Sequence, residues 1–196
     1  MATLLFFDEG HRYTIDGETV PSVSELCRFL SREIYGEIAQ WRLDNAAERG
    51  SRVHKLCEVL DLYGKADVPD DLLPYLHAYL AFRRDHDVQW TAVEKAMYHK
   101  TDRYAGTLDR IGTVDGSAVI VDIKTAYQVQ KPLALAQLNL YRRMAEQANQ
   151  EEYALYILHL RKDGSYKLLL FERNDAVPSA LLTLHSLTKK VRKHNV

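Results

Sequence analysis

The sequence predicts an α+β fold of α/β/α layering: one central mixed β-sheet flanked by helices. Three observations predict it. Asp115-Gly116 stands between two runs rich in β-branched residues, 108–114 and 118–123. Asp-Gly favours a type I′ hairpin turn, which needs φ > 0 at both central residues. A second hairpin pattern, 153–160 and 166–171, surrounds Asp163-Gly164. Segments with helical spacing of apolar residues precede, separate and follow these hairpins.

The elements follow in order. Residues 4–7 and 13–15 are expected as short strands, with a tight turn at Asp16-Gly17 leading into 18–20. Pro21 ends that strand. Ser22-Val23-Ser24-Glu25 fits a capping box, so a helix is expected from there to about residue 30. A helical region over about 37–63 places Val53, Leu56, Cys57 and Leu60 at helical spacing. Gly50 interrupts it, and Ser51 is a candidate N-cap for a restart. Gly64 ends it. A linker over 67–71 precedes a helix over about 72–85, with Pro74 tolerated in its first turn. A strand over 89–99 leads into the central hairpin. A helix over 132–147 starts at Pro132, and a last one covers about 176–192.

A chain of 196 residues can bury one sizeable core, so one domain over 1–196 is expected. Its parts are an N-terminal hairpin and helices (1–87), a core sheet and helix (88–148) and a C-terminal hairpin and helix (149–196). No apolar run has the length of a membrane span, and no basic region precedes the opening Leu4-Leu5-Phe6-Phe7 as in a signal peptide. Cys27 and Cys57 lack metal-ligand spacing and point to reduced thiols in a cytoplasmic setting. The net charge of −1 gives no global signal for nucleic acid, although a local groove can still be basic. Lys189-Lys190-Val191-Arg192-Lys193 is the one clear basic run, read either as a solvated helix end or as a phosphate contact.

The central hairpin carries the chemistry. Counted outward from Asp115-Gly116, Val114 meets Ser117, Ile111 meets Ile120, Arg110 meets Val121 and Asp109 meets Asp122. Two carboxylates then face each other with Cβ atoms about 5 Å apart. Lys124, two residues beyond Asp122, shares their face. Like charges directly opposite destabilise a sheet unless something compensates them. A divalent cation does so, and oxygen ligands favour Mg²⁺ or Mn²⁺. The competing reading is a solvated Asp109 and a surface Asp122–Lys124 ion pair. Against it, Val119-Ile120-Val121-Asp122-Ile123 reads as a strand buried on both faces, where charges are rarely left unpaired.

Other residues can join this constellation. If the turn after His99 is centred between Thr101 and Asp102, Glu94 falls opposite Asp109 and three carboxylates line three adjacent strands. His54 lies on the Gly50-x-x-x-His54 helix; a lone helical histidine is more often structural than a ligand. Gln137 and Tyr141, four apart, share one face of the helix that follows Lys124.

Together these residues resemble the PD-(D/E)XK nuclease superfamily and its RecB-like exonuclease branch. The pieces are Gly50-x-x-x-His54, Glu94, Gly106-Thr107-Leu108-Asp109, Asp122-Ile123-Lys124-Thr125 and Gln137-x-x-x-Tyr141, in that order. Val20-Pro21-Ser22-Val23-Ser24-Glu25 and Trp41 are similar to small phage exonucleases and the mitochondrial genome maintenance exonuclease. Leu108 replaces the nominal proline of the family. The resemblance implies a restriction-endonuclease-like core and a Mg²⁺- or Mn²⁺-dependent DNA exonuclease.

It also implies roles. Asp109, Asp122, His54 and the Ile123 carbonyl would ligate the metal, with Glu94 serving a second metal or a water. Lys124, with a pKa lowered by burial and metal, would position or deprotonate the attacking water. Gln137 and Tyr141 would orient Lys124, the ligands or the DNA strand. Two cysteines cannot hold the four-cysteine iron–sulfur cluster of some relatives, so none is expected. The implied substrate is linear DNA with a free end, in phage or prophage recombination or repair. A single-strand annealing or recombination protein is a candidate partner. Arg110, Lys131, Arg142 and Arg143 are candidate phosphate contacts, with a solvated helix face as the competing reading for the arginine pair. The alternatives are a structure-selective endonuclease of the same fold and a non-catalytic DNA-binding module.

Overall fold

Three strands open the chain as an antiparallel meander: β1 (Leu4–Phe7), β2 (Arg12–Ile15) and β3 (Glu18–Val20). The computed structural model describes residues 2–7 and 9–194, with side-chain surroundings through residue 189. Asp16 and Gly17 turn the second strand into the third at φ +52° and +81°, as a type I′ turn requires.

Ser22 then caps α1 (Val23–Leu26), its hydroxyl accepting the Glu25 N–H at 3.0 Å. The helix expected to reach about residue 30 breaks at Cys27 and resumes as α2 (Arg28–Tyr35). Val23, Leu26 and Cys27 are buried whereas α2 buries no residue fully, so the core fixes the first turn and the second runs over the surface.

α3 (Gln40–Tyr63) runs unbroken through Gly50. Ser51 does not restart it; its hydroxyl donates back to the Ala47 carbonyl at 3.1 Å. Gly64, at φ +72°, closes the helix by donating to the Leu60 carbonyl. A single 3₁₀ turn, Asp70–Leu72, leads into α4 (Leu73–Asp85).

The main sheet holds β4 (Val88–His99), β5 (Tyr104–Val114), β6 (Ser117–Lys124), β7 (Ala154–Leu160) and β8 (Tyr166–Phe171), side by side in that order. All neighbours are antiparallel except β6 and β7, which α5 (Lys131–Asn149) joins as a crossover. The last helix is α6 (Ala176–His194). Beyond Lys189, the side chains of the C-terminal basic run lie outside the described residues.

Asp115 and Gly116 take φ +50° and +78°, and the ladder they start runs from Val114–Ser117 to Arg110–Val121 in the expected register. Period-2 alternation then sorts β6 onto two cores. Val119, Val121 and Ile123 pack with Val53, Leu56, Cys57, Tyr79 and Phe82 of α3 and α4. Ile120 packs with Leu138, Leu140 and Met144 of α5. The sheet is thus the middle of three layers, and Asp122 and Lys124 share the α5 side with Ile120. A third small core (Tyr13, Ile15, Val20, Ala105) seats the N-terminal meander on β5.

Candidate active site

The ladder between β5 and β6 stops at Arg110–Val121, one step short of the two aspartates. The hairpin count expected their backbones to pair there, but they do not. Instead, the Asp109 carboxylate accepts the Ile123 N–H at 2.7 Å. The Ile123 carbonyl takes a hydrogen bond from His54 Nε2 at 2.9 Å. Ile123, near the end of β6, is therefore held through both its N–H and its carbonyl.

His54 Nδ1 turns toward Glu94 Oε1 and Asp109 Oδ2, each 3.5 Å away. Glu94 holds the register position opposite Asp109, between the pairs Val93–Arg110 and Lys95–Leu108, but is itself skipped by the ladder. One ligand atom from each of His54, Glu94 and Asp109 lies within 4.8 Å of the others. Asp122 stands beside this triangle and is almost fully buried. Its Oδ2 is ion-paired with Lys124 Nζ at 2.7 Å. With an imidazole nitrogen and several oxygens close by, the donor set fits a hard divalent cation.

These groups line an open cleft of about 1560 Å³. α3 supplies Gly50 and His54; β4, β5 and β6 supply Glu94, Asp109, Asp122, Ile123 and Lys124; α5 supplies Gln137 and Tyr141. Gln137 Oε1 is buried without a partner.

The charges in the cleft act on one another. Burial alone would lower the pKa of His54, but Asp109 and Glu94 raise it to about 9. Burial raises Asp122 and Asp109 adds to that, against the opposing pull of Lys124. Burial would lower Lys124 too, but Asp122 and Asp109 outweigh it and raise the ammonium above its ordinary value. The lowered lysine expected from the sequence depends on a metal beside it; the carboxylates by themselves act in the opposite direction. Burial lifts the Tyr141 phenol well above its ordinary range, helped by Asp122 and Asp109.

A family model described as the PD-(D/E)XK nuclease superfamily matches residues 37–192. The chain belongs to the PD-(D/E)XK nuclease superfamily. Solved structures resemble the chain at low identity. A "putative exonuclease" from Eubacterium rectale is 14% identical with a TM-score of 0.55, over 90% of this chain and 81% of that one. An alkaline exonuclease from Laribacter hongkongensis is 15% identical with a TM-score of 0.48, over 89% and 90%. The same exonuclease in complex with dAMP gives 15% and 0.46 over the same shares. No curated protein matches the chain. Among the described residues, no helix is long and apolar enough to cross a membrane.

In this PD-(D/E)XK chain the expected phosphate contacts need correction. Arg110 has no exposed surface; its guanidinium is held by Asp61 at 2.7 Å and Glu94 at 3.1 Å. Arg142 is buried among Asn139, Glu146 and Asp175. Arg143 is paired with Asp102 at 2.7 Å. Lys131 is exposed at the start of α5 and does not line the cleft. Acidic partners on distant elements turned three of these cations inward.

The cleft instead presents Arg42 and Arg49 of α3, neither in an ion pair among the described residues, and Arg49 Nε is buried without a partner. Sequence reasoning missed both, and it missed Asp61. The signal for Asp61 was its spacing: seven residues after His54, about two helical turns on the same face.

Proposed function

We propose that this chain is a divalent-metal-dependent deoxyribonuclease of the RecB-like exonuclease branch, hydrolysing phosphodiester bonds of linear DNA from an end. The observation that carries the reading is the convergence of His54, Glu94 and Asp109 within 4.8 Å, beside the buried Asp122 carboxylate. Mg²⁺ or Mn²⁺ suits these donors. The exonuclease mode is supported by the ordered motifs from Gly50 to Tyr141.

The residues divide the work. His54 Nδ1, Glu94, Asp109 and Asp122 would hold the cation. The Nε2–H bond to the Ile123 carbonyl fixes the His54 tautomer and ring, which makes that carbonyl the orienting group of a ligand in this state. The cation would supply an acidified water and charge stabilisation at the scissile phosphate. Lys124, beside the Asp122 carboxylate, would place the water and offset phosphate charge. Tyr141 stays a neutral donor, and the free Gln137 Oε1 can accept from Lys124. Arg42 and Arg49 are the cleft cations suited to the phosphate backbone.

We read residues 1–196 as one catalytic domain. It would work in the cytoplasm of a bacterial or phage-infected cell, in recombination or repair. A single-strand annealing or recombination protein is its natural partner class.

The test uses end-labelled linear and closed circular DNA, single- and double-stranded, with Mg²⁺, Mn²⁺ or EDTA. A Lys124→Ala protein is purified in parallel. Metal-dependent shortening of linear DNA, absent in the variant, is the expected result. Cleavage of closed circles would convert the reading to an endonuclease. Binding without cleavage under every metal would overturn it in favour of a non-catalytic module.

A further inference from the structure

Glu94 is held in a backbone conformation that glutamate rarely adopts. Its φ is +45°, in the left-handed region where Cβ crowds the following carbonyl. Such strain persists only where the surroundings over-determine it. The group that does so here is Arg110. It follows Asp109 and pairs with Val121, so its side chain enters the α3/α4 side of the sheet, fully buried. Arg110 Nη1 donates to Glu94 Oε1 at 3.1 Å and to the Asp109 carbonyl at 2.6 Å. Its Nε donates to Asp61 Oδ2 at 2.7 Å. Asp61 is fixed in turn by the Tyr79 hydroxyl at 2.6 Å and by Arg83 at 2.5 Å, both on α4. Trp90 Nε1 of β4 donates to that same Tyr79 oxygen at 3.2 Å.

We infer that Asp61 and Arg110 are positioning residues: they hold the Glu94 carboxylate beside His54 and Asp109 and thereby set the affinity of the site for its cation. The inference rests on the metal-dependent reading above. Its physical basis is the planar fork of arginine. Nε and Nη1 are engaged by different carboxylates, which fixes the guanidinium plane; the single ammonium of a lysine cannot do this. Both partners are needed because a guanidinium held by one acid alone loses the second anchor that fixes its plane. α3 thus serves the site twice, directly through His54 and indirectly through Asp61.

The test is calorimetric Mn²⁺ binding to the full chain without DNA. The proteins are wild type, Arg110→Lys, Glu94→Gln and the double variant, with melting temperature as the check of folding. Glu94→Gln leaves His54, Asp109 and Asp122, so weakened binding stays measurable at millimolar Mn²⁺. Arg110→Lys is expected to weaken binding about tenfold, the scale on which residues behind metal ligands act. In the Glu94→Gln background it should add less than about twofold, because its route to the cation is gone.

Losses that multiply in the double variant overturn the inference, as does an Arg110→Lys protein that binds like wild type. If Arg110→Lys fails to fold, Tyr79→Phe removes one donor from Asp61 without changing charge. A weakening of about threefold is then expected, again only when Glu94 is present, and its absence overturns the inference. A wild-type protein that binds Mn²⁺ but cuts no DNA refutes the proposed function while leaving the positioning pair to stand. One that binds no Mn²⁺ refutes both.

Discussion

Gly106→Ala tests how tightly packing and site are joined. Gly106 lies on β5, three residues before Asp109, and is buried. A Cβ added there would sit 2.9 Å from Val23 Cγ2 and 3.0 Å from Tyr141 Cε1. Ordinary carbon contacts are about 3.5–4.0 Å, so either neighbour must yield by about half an ångström or more. Overpacking of this kind costs about 1–3 kcal/mol. Gly106 is not in the left-handed region, so alanine also restricts the unfolded chain and recovers about 0.4–1 kcal/mol. The net loss is about 0–2.6 kcal/mol, or up to about 10 °C in melting temperature for a chain of this size. Because Tyr141 is one of the two neighbours, DNA cleavage measured well below the melting point should fall further than unfolding explains. Thermal denaturation followed by circular dichroism, with cleavage at equal folded concentration, reads both. A variant that melts above the wild-type temperature refutes the packing reasoning.

Gly50→Ala should have the opposite sign. Its Cβ meets only Thr125 Oγ1, at 3.8 Å, within an unbroken α3, so the loss of a mid-helix glycine should raise the melting temperature by about 2–4 °C; a lower value on thermal denaturation counts against it. Burial pushes the Cys27 thiol to about 12 and raises Cys57 as well. At about pH 8 neither should react with Ellman's reagent until denaturant is added, when two per chain should appear, and a fast native thiol would contradict their burial. Mn²⁺ at about 100 times its dissociation constant should stabilise by about 2.7 kcal/mol, or about 5–11 °C, and Asp109→Asn should abolish most of that shift. An unchanged shift in a thermal scan would place the cation elsewhere.

The hairpin was legible because one dipeptide governs many residues. With Asp115-Gly116 as the turn, five pairs of the β5–β6 ladder follow by counting. The turn before β5 lacked a glycine, yet Arg103 takes φ +49° in its place and His99 pairs with Tyr104 as the count required. The same cleft receives His54, Glu94, Asp109, Asp122, Lys124, Gln137 and Tyr141, all singled out from the sequence. What local patterns could not show was which charges turn inward. Arg110 and Arg142 read as surface cations because Asp61 and Asp175 lie on other elements, and only the tertiary fold brings them together. The break at Cys27 and the continuity of α3 through Gly50 were likewise decided by packing rather than propensity.

The irregular course of β4 has a second consequence, for how this protein coexists with its own copies. β4 is a twelve-residue edge of the main sheet. A long, flat edge with a row of free amide groups is a template on which another chain can add a strand. Here the register slips between Trp90 and Ala92, and Glu94 leaves the extended conformation four residues beyond the start of that slip. Charged Glu94 and Lys95 follow one another at the same place. A foreign strand that tried to pair with β4 would lose registry twice within five residues and meet charge where it needs apolar contact. The distortion that aims a carboxylate into the cleft also spoils the edge as a seed for aggregation. A redesign that straightened β4 to gain ladder hydrogen bonds would therefore forfeit solubility along with the site.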